Sequence, residues 1–269
     1  MKYIARLPAG ILSLVLAVLL AGWTESGRCC EIRVRVPEGN TYVPFTIQDA
    51  SGKWSGLSIE LTEALFQEAG CTPVYKALPF ARGLYSLRIG EIDMMPNMTI
   101  TGERKVFMHF IGPQIDETVF FVTRKDARYA IASIDDLKGL PLAVGVDRGK
   151  VYGPEFERKR AADPLFRSRL EEVNDVDLNE KKLAMGRISG FLGYDYNVMY
   201  QMKTNPLYRD FAIHPFVVHR DWVYFGFSKK SVSPEMLARL QEAYERAARQ
   251  GVFEAIRRKY TFMSPSADR

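Results

Sequence analysis

Twice along this 269-residue chain, short apolar runs of strand length alternate with amphipathic stretches of helical period. That rhythm leaves few folds open, because a strand, a helix and a second strand in succession pack as a right-handed crossover onto a parallel sheet. The first pass holds a strand over 32–36, a turn-rich stretch with Pro44 and the hairpin-like Asp49-Ala50-Ser51-Gly52-Lys53, and an amphipathic helix over 58–69 stopped by Gly70. A strand over 73–77, a helix from Phe80 to Leu87 ending near Gly90, and a buried-looking strand over 92–95 complete it. The second pass opens on the strand 119–123. It continues with strands at 142–146, 171–173 and 188–192, and with helices from Pro154 and over 178–185. Strands at 211–218 and 222–227 then precede helical pattern over 234–249 and 252–260. The fold class is therefore α/β, in two units.

Hydrophobic residues make up 47% and charged residues 26% of the chain, which is enough apolar material for a packed core and excludes global disorder. The formal charge of +5 is spread among interspersed acids and bases rather than gathered into a stripe, so no nucleic-acid partner is expected. The start of the chain is different in kind. Lys2 and Arg6 precede an apolar run over 11–21, followed by the polar Thr24-Glu25-Ser26-Gly27-Arg28. This is the layout of a cleavable secretory signal, residues 1–26, with Thr24 and Ser26 as small residues at −3 and −1; cleavage after Ala21 or Cys29 is also compatible. The run is about half of the roughly 20 residues that a spanning helix needs. Trp23 after Leu20-Ala21-Gly22 stands where a lipoprotein would have Cys.

Export places Cys29, Cys30 and Cys71 in an oxidising compartment. Cys30 and Cys71 each precede an expected strand, so neighbouring strands would allow a disulfide between them. His109, His214 and His219 show no ligand spacing with the cysteines, and neither metal nor cofactor is expected. G-x-S-x-G, H-E-x-x-H and G-x-x-x-x-G-K-[ST] patterns are all absent.

The segment Gly90-Glu91-Ile92-Asp93 followed by Met98-Thr99-Ile100-Thr101-Gly102-Glu103-Arg104 resembles the extracellular solute-binding proteins of the polar amino-acid type, family 3. That family shows G-x-[IV]-D, a short strand, and M-T-[IP]-T-x-E-R. Further matches come in order: Phe110-Ile111-Gly112-Pro113, Thr41-Tyr42-Val43-Pro44-Phe45 with Gly56, Pro79-Phe80, Val144-Gly145-Val146 with Gly149, Gln250-Gly251-Val252-Phe253, and Lys259-Tyr260. The likeness spans residues 31–262. It implies a two-lobed periplasmic-binding-protein fold of type II, with a cleft between lobes made of residues 31–116 plus 222–269 and residues 117–221. Two hinge strands near 116–118 and 219–222 would join the lobes. It further implies a periplasmic monomer that is not an enzyme, that captures a small polar, amino-acid-like solute, and that hands it to an inner-membrane ABC transporter permease.

Carried over residue by residue, the resemblance gives Arg104 the ligand carboxylate, which a planar guanidinium accepts through a two-bond fork. Tyr42 and Phe80 match an aromatic pair that sandwiches the ligand. Asn97 and Thr99 match polar positions at a strand end. In the second unit, Arg148, Lys150 and Tyr152 lie on a loop leading to a helix start near Gly153-Pro154, where free N–H groups favour an anion. Lys150 and Arg148 replace the family's small hydroxyl residues and make the cleft more basic. Tyr194 occupies the position expected of an ammonium-binding acid, and Asp195 follows it; Asp195 either slides into that role or leaves the ligand's amino group without a partner. A second reading, an exported dehydratase-like enzyme on the same fold, would use Glu155, Glu157 or Asp195 as general acid.

Overall fold

The computed structural model describes residues 30–38, 41–174 and 176–260. The expected signal segment and Cys29 lie outside them. Among the described residues no helix is long and apolar enough to cross a membrane.

Strand β1 (Cys30–Val36) buries Ile32, Val34 and Val36 on one side and sends Arg33 and Arg35 to the other, the period-2 pattern of a half-buried strand. Strands β2 (Thr41–Tyr42), β3 (Thr46–Gln48) and β4 (Trp54–Ser55) form a small antiparallel sheet whose second turn is closed by the Asp49 N–H to Lys53 carbonyl bond, 3.0 Å. Helix α1 (Leu57–Ala69) buries Leu57, Ile59, Leu61, Leu65 and Phe66 and stops at Gly70, whose φ of 66° is left-handed. Next come β5 (Cys71–Ala77), α2 (Phe80–Ile89, again ended by a left-handed glycine, Gly90) and β6 (Met94–Met98).

Asp93, the acid of the G-x-I-D motif, has a structural task. Its carboxylate accepts the Arg33 backbone N–H at 2.8 Å and a two-bond guanidinium fork at 2.8 and 2.6 Å, which ties the approach to β6 onto β1. These bonds hold its pKa below the ordinary aspartate value although burial works the other way. Thr101 caps the short helix α3 (Gly102–Phe107) by accepting the Arg104 N–H at 3.1 Å, so the same motif fixes where the Arg104 side chain starts.

Beyond α3, the Phe110-Ile111-Gly112-Pro113 match and the expected strand 119–123 belong to one strand, β7 (Met108–Arg124). Likewise 211–218 and 222–227 merge into β11 (Phe211–Ser228). The two pair antiparallel from Phe211↔Arg124 to Ser228↔Met108. Pro113 has no N–H for the ladder, and the register shifts between Val223 and Phe225 opposite it, which lets the strand run through a sequence that reads locally as a turn.

The second pass gives β8 (Val144–Asp147), α4 (Pro154–Ala162), α5 (Pro164–Ser168), β9 (Leu170–Val173), α6 (Val176–Ala184) and β10 (Gly190–Tyr194). A helix absent from the sequence reading, α7 (Asp195–Thr204), follows β10 directly. Helices α8 (Pro234–Arg249) and α9 (Val252–Arg258) end the described chain, and α8 packs along α1. The large sheet runs β5-β1-β6-β11-β7-β10-β8-β9. The pairs β1–β6, β8–β9 and β8–β10 are parallel, as the crossover argument requires, while β7 and β11 form the antiparallel centre.

Cys30 and Cys71, at the starts of adjacent strands β1 and β5, are joined in a disulfide. Cross-links of this kind stabilise by about 2–4 kcal/mol, mostly by restricting the unfolded chain. Cys71→Ser should accordingly lower the denaturant midpoint by an amount that reduction of the wild-type protein reproduces.

Candidate functional site

The site lies where the 31–116 segment meets the 117–221 segment. Arg104, in the first turn of α3, is 6% exposed. Its guanidinium donates to two backbone carbonyls, Thr99 on its own side and Gly149 on the other, each at 3.1 Å. Burial lowers its pKa, yet a guanidinium stays charged at any working pH. Opposite it, Lys150 projects its ammonium among three rings. Nζ lies 4.9 Å from the Tyr42 centroid, 5.0 Å from Phe80 and 4.9 Å from Tyr194. These are cation–π distances to both segments at once.

Each wall of this cage is held from behind. Tyr42, on β2, stacks on Phe45 at 5.1 Å, and Phe45 meets Tyr196 edge-on at 5.7 Å. Tyr194, at the end of β10, stacks on Tyr152 at 5.9 Å. Phe80 opens α2, and its ring also faces the guanidinium carbons of Arg35 at 5.5 Å and Arg104 at 5.8 Å. Asn197 of α7 closes the seam by donating to the Val43 carbonyl at 2.7 Å.

The residues expected from the sequence therefore divide. Arg104, Tyr42, Phe80 and Lys150 come together, with Thr99 present through its carbonyl. Asn97 sits at the end of β6 with a left-handed φ of 57°; its Oδ1 accepts Ser58 Oγ at 2.9 Å and its N–H goes to Gln114 at 2.8 Å. Tyr152 is fully buried behind Tyr194, with its hydroxyl accepting the Asp147 N–H at 2.7 Å. Arg148 is exposed beside Glu172 at 3.5 Å. Asp195 is 1% exposed, and its Oδ1 takes the Tyr196 N–H at 2.8 Å.

At the start of α4, the anion position already has an internal occupant, since Glu157 accepts the Tyr152 N–H at 3.0 Å. Gly153 caps this helix at φ 105°, and a Cβ there would come within 2.4 Å of the His219 ring, so only glycine fits.

Three participants escaped the sequence reading. Tyr194 was seen only as an acid missing from its place. Arg35 was hidden in an ordinary strand pattern, though it lies near the C-terminal end of β1, the end at which α/β sheets bind ligands. Glu117, on β7 inside the expected hinge, is the third. Burial and the Asp195 charge push its pKa up to about 8, against the pull of Lys150 and Arg104. Lys150 in turn is driven below the ordinary lysine value by burial. Among the described residues no group of His, Cys, Asp and Glu could hold a metal ion.

A large mixed sheet centred on two long antiparallel strands, with a cation and aromatic rings facing each other across the seam, defines a ligand-binding protein of the type II periplasmic-binding-protein fold. The chain belongs to the bacterial extracellular solute-binding proteins, family 3, whose family model matches residues 34–263. It is 26% identical over 223 residues to the probable amino-acid-binding protein YxeM of Bacillus subtilis, covering 82% of this chain and 81% of that protein. It is 25% identical over 258 residues to the lysine/arginine/ornithine-binding periplasmic protein of Escherichia coli, covering 93% and 95%. Among solved structures it resembles an ancestral arginine-binding protein bound to glutamine, with a TM-score of 0.70, 25% identity, and 86% and 97% of the two chains covered. The arginine-, lysine-, histidine-binding protein ArtJ of Geobacillus stearothermophilus shares the fold with a TM-score of 0.72 at 21% identity, over 88% of this chain and 98% of that one.

Proposed function

We propose that the protein is a periplasmic receptor for a small, carboxylate-bearing, amino-acid-like solute, which it encloses between two lobes and presents to an ABC transporter permease in the inner membrane. The lobes are residues 31–116 with 222–269, and residues 117–221; the hinge lies where β7 and β11 cross at 116–118 and 219–222. Residues 1–26 direct export, and the receptor works as a monomer. The observation that carries this reading is Arg104, a buried guanidinium that spends its bonds on backbone carbonyls of both segments and faces an aromatic cage. A carboxylate offers such a group a charge-assisted fork that carbonyls do not match. The amino-acid-binding relatives named above support the class of solute. Closure follows from differential affinity, because a solute touching Arg104 on one side and Tyr194 on the other binds the closed form better than the open one.

Glu117 favours a second reading. A half-buried carboxyl whose pKa is pushed up to about 8 by burial is suited to general-acid work. One experiment separates the two. A thermal-shift screen against amino acids, dicarboxylates, polyamines and prephenate-like acids should find a solute that at about 100 times its Kd adds ~2.7 kcal/mol of stability. Chromatography should recover that solute unchanged. Consumption of the solute would favour the enzyme, and the absence of any shift across the panel would count against both readings.

A further inference from the structure

The cage of Tyr42, Phe80 and Tyr194 already holds a cation, the ammonium of Lys150. We infer that the site selects a small dicarboxylic acid, one carboxylate going to Arg104 and the other to Lys150, and rejects the cationic solutes that an aromatic cage would otherwise admit; this rests on reading the seam as the solute site. A cationic ligand side chain would find the ring faces that Lys150 approaches in use and a like charge beside it.

Charge balance points the same way. Arg35, Arg104 and Lys150 all lie within 5.8 Å of the Phe80 centroid. Their guanidinium groups donate to the carbonyls of Leu78, Thr99 and Gly149, and among the described residues none of the three cations has a carboxylate oxygen within 4.0 Å. Of the acids close by, Glu103 and Glu157 pair with other cations, while Asp147 and Asp195 accept bonds from neutral groups. Glu103 pairs with Arg88 at 3.0 Å, Glu157 takes the Tyr152 N–H and pairs with Arg160 at 3.6 Å, and Asp147 accepts Asn179 at 3.2 Å. Asp195 receives the Tyr196 N–H, while burial pushes the pKa of the Glu117 carboxyl up to about 8 and lowers that of its neighbour Lys150. A positive centre in partly dehydrated surroundings attracts an anion more strongly than the same charges would in water.

There is also room for a ligand to enter. A groove of about 480 Å³ opens beside Arg104, lined by Arg104, Phe107, Gly149 and Val151 and also by Glu103 and Glu157; it reaches the residue preceding Lys150 but not the cage rings. Arg104 and Lys150 stand 5.8 and 5.0 Å from the centroid of the same Phe80 ring.

The test is calorimetric titration of the mature protein at neutral pH with glutarate, L-glutamate, L-glutamine and L-arginine. The inference predicts that glutarate or L-glutamate binds more tightly than the other two. Lys150→Met should weaken that binding about tenfold or more and improve binding of L-arginine, while Lys150→Arg, which keeps the cation, should retain the dicarboxylate. Should Lys150→Met fail to fold, the wild-type ranking and Lys150→Arg decide. Tighter binding of L-arginine or L-glutamine by the wild-type protein would overturn the inference and leave the receptor reading standing. If no solute of the four binds and the wider thermal-shift panel is also silent, both fall.

Discussion

Replacing Arg104 with alanine is expected to weaken solute binding by about 2 kcal/mol or more, roughly thirtyfold, and to leave the fold intact. The effect is large because the guanidinium is 6% exposed, so a carboxylate bound there loses its water and receives nothing in exchange once the fork is gone. The fold survives because α3 is held by the Thr101 cap and by the strand that follows, and the Arg104 side chain hydrogen-bonds only the carbonyls of Thr99 and Gly149 besides lying over the Phe80 ring. Arg104→Lys should recover little, since an ammonium cannot bridge both carbonyls and a carboxylate in one plane. Titration calorimetry checks the affinity and circular dichroism the fold. An unchanged affinity in Arg104→Ala would remove the site assignment altogether.

The second large effect concerns Glu117 and pH. Its carboxyl titrates near 8 in the folded protein and near the ordinary 4.5 when unfolded. Between those values the folded state holds a proton that the unfolded chain has released, so stability is greatest below about pH 4.5. It declines as pH rises and levels off above about 8. At about 1.4 kcal/mol for each pH unit of separation, the loss is on the order of 5 kcal/mol. Glu117→Gln abolishes this dependence. Denaturant unfolding followed from pH 5 to 9 should therefore show wild-type stability falling relative to the variant; parallel curves would mean that Glu117 is not buried as described.

Much of the architecture was legible because it depends on local signals. Gly70 and Gly90 stop helices through the left-handed conformation that glycine takes without strain, and the 32–36 alternation marks β1. The two long strands were broken in the reading because Gly112-Pro113 is turn-like in isolation; only the register shift in β11 shows how the sheet accommodates it. Helix α7 escaped since its residues lack strong apolar period and its place is set by packing of Tyr196 and Val198.

Within the site, the motif located Arg104, and the chain order located Tyr42 and Phe80. What sequence could not supply was direction. Lys150 and Arg148 are two residues apart, yet one enters the cage and the other reaches solvent and Glu172. Glu117 shows the same limit, because its altered acidity arises from burial and from a charge as distant in sequence as Asp195.

The central claim is that the solute lies in the seam between Arg104 and the Tyr42–Phe80–Tyr194 rings. A crystal structure of the mature protein with the solute found by thermal shift tests it most directly. The account predicts a carboxylate within hydrogen-bonding distance, about 2.7–2.9 Å, of the Arg104 guanidinium, with the rest of the molecule against those rings. A solute bound elsewhere, with Arg104 still engaged only with Thr99 and Gly149, would contradict it.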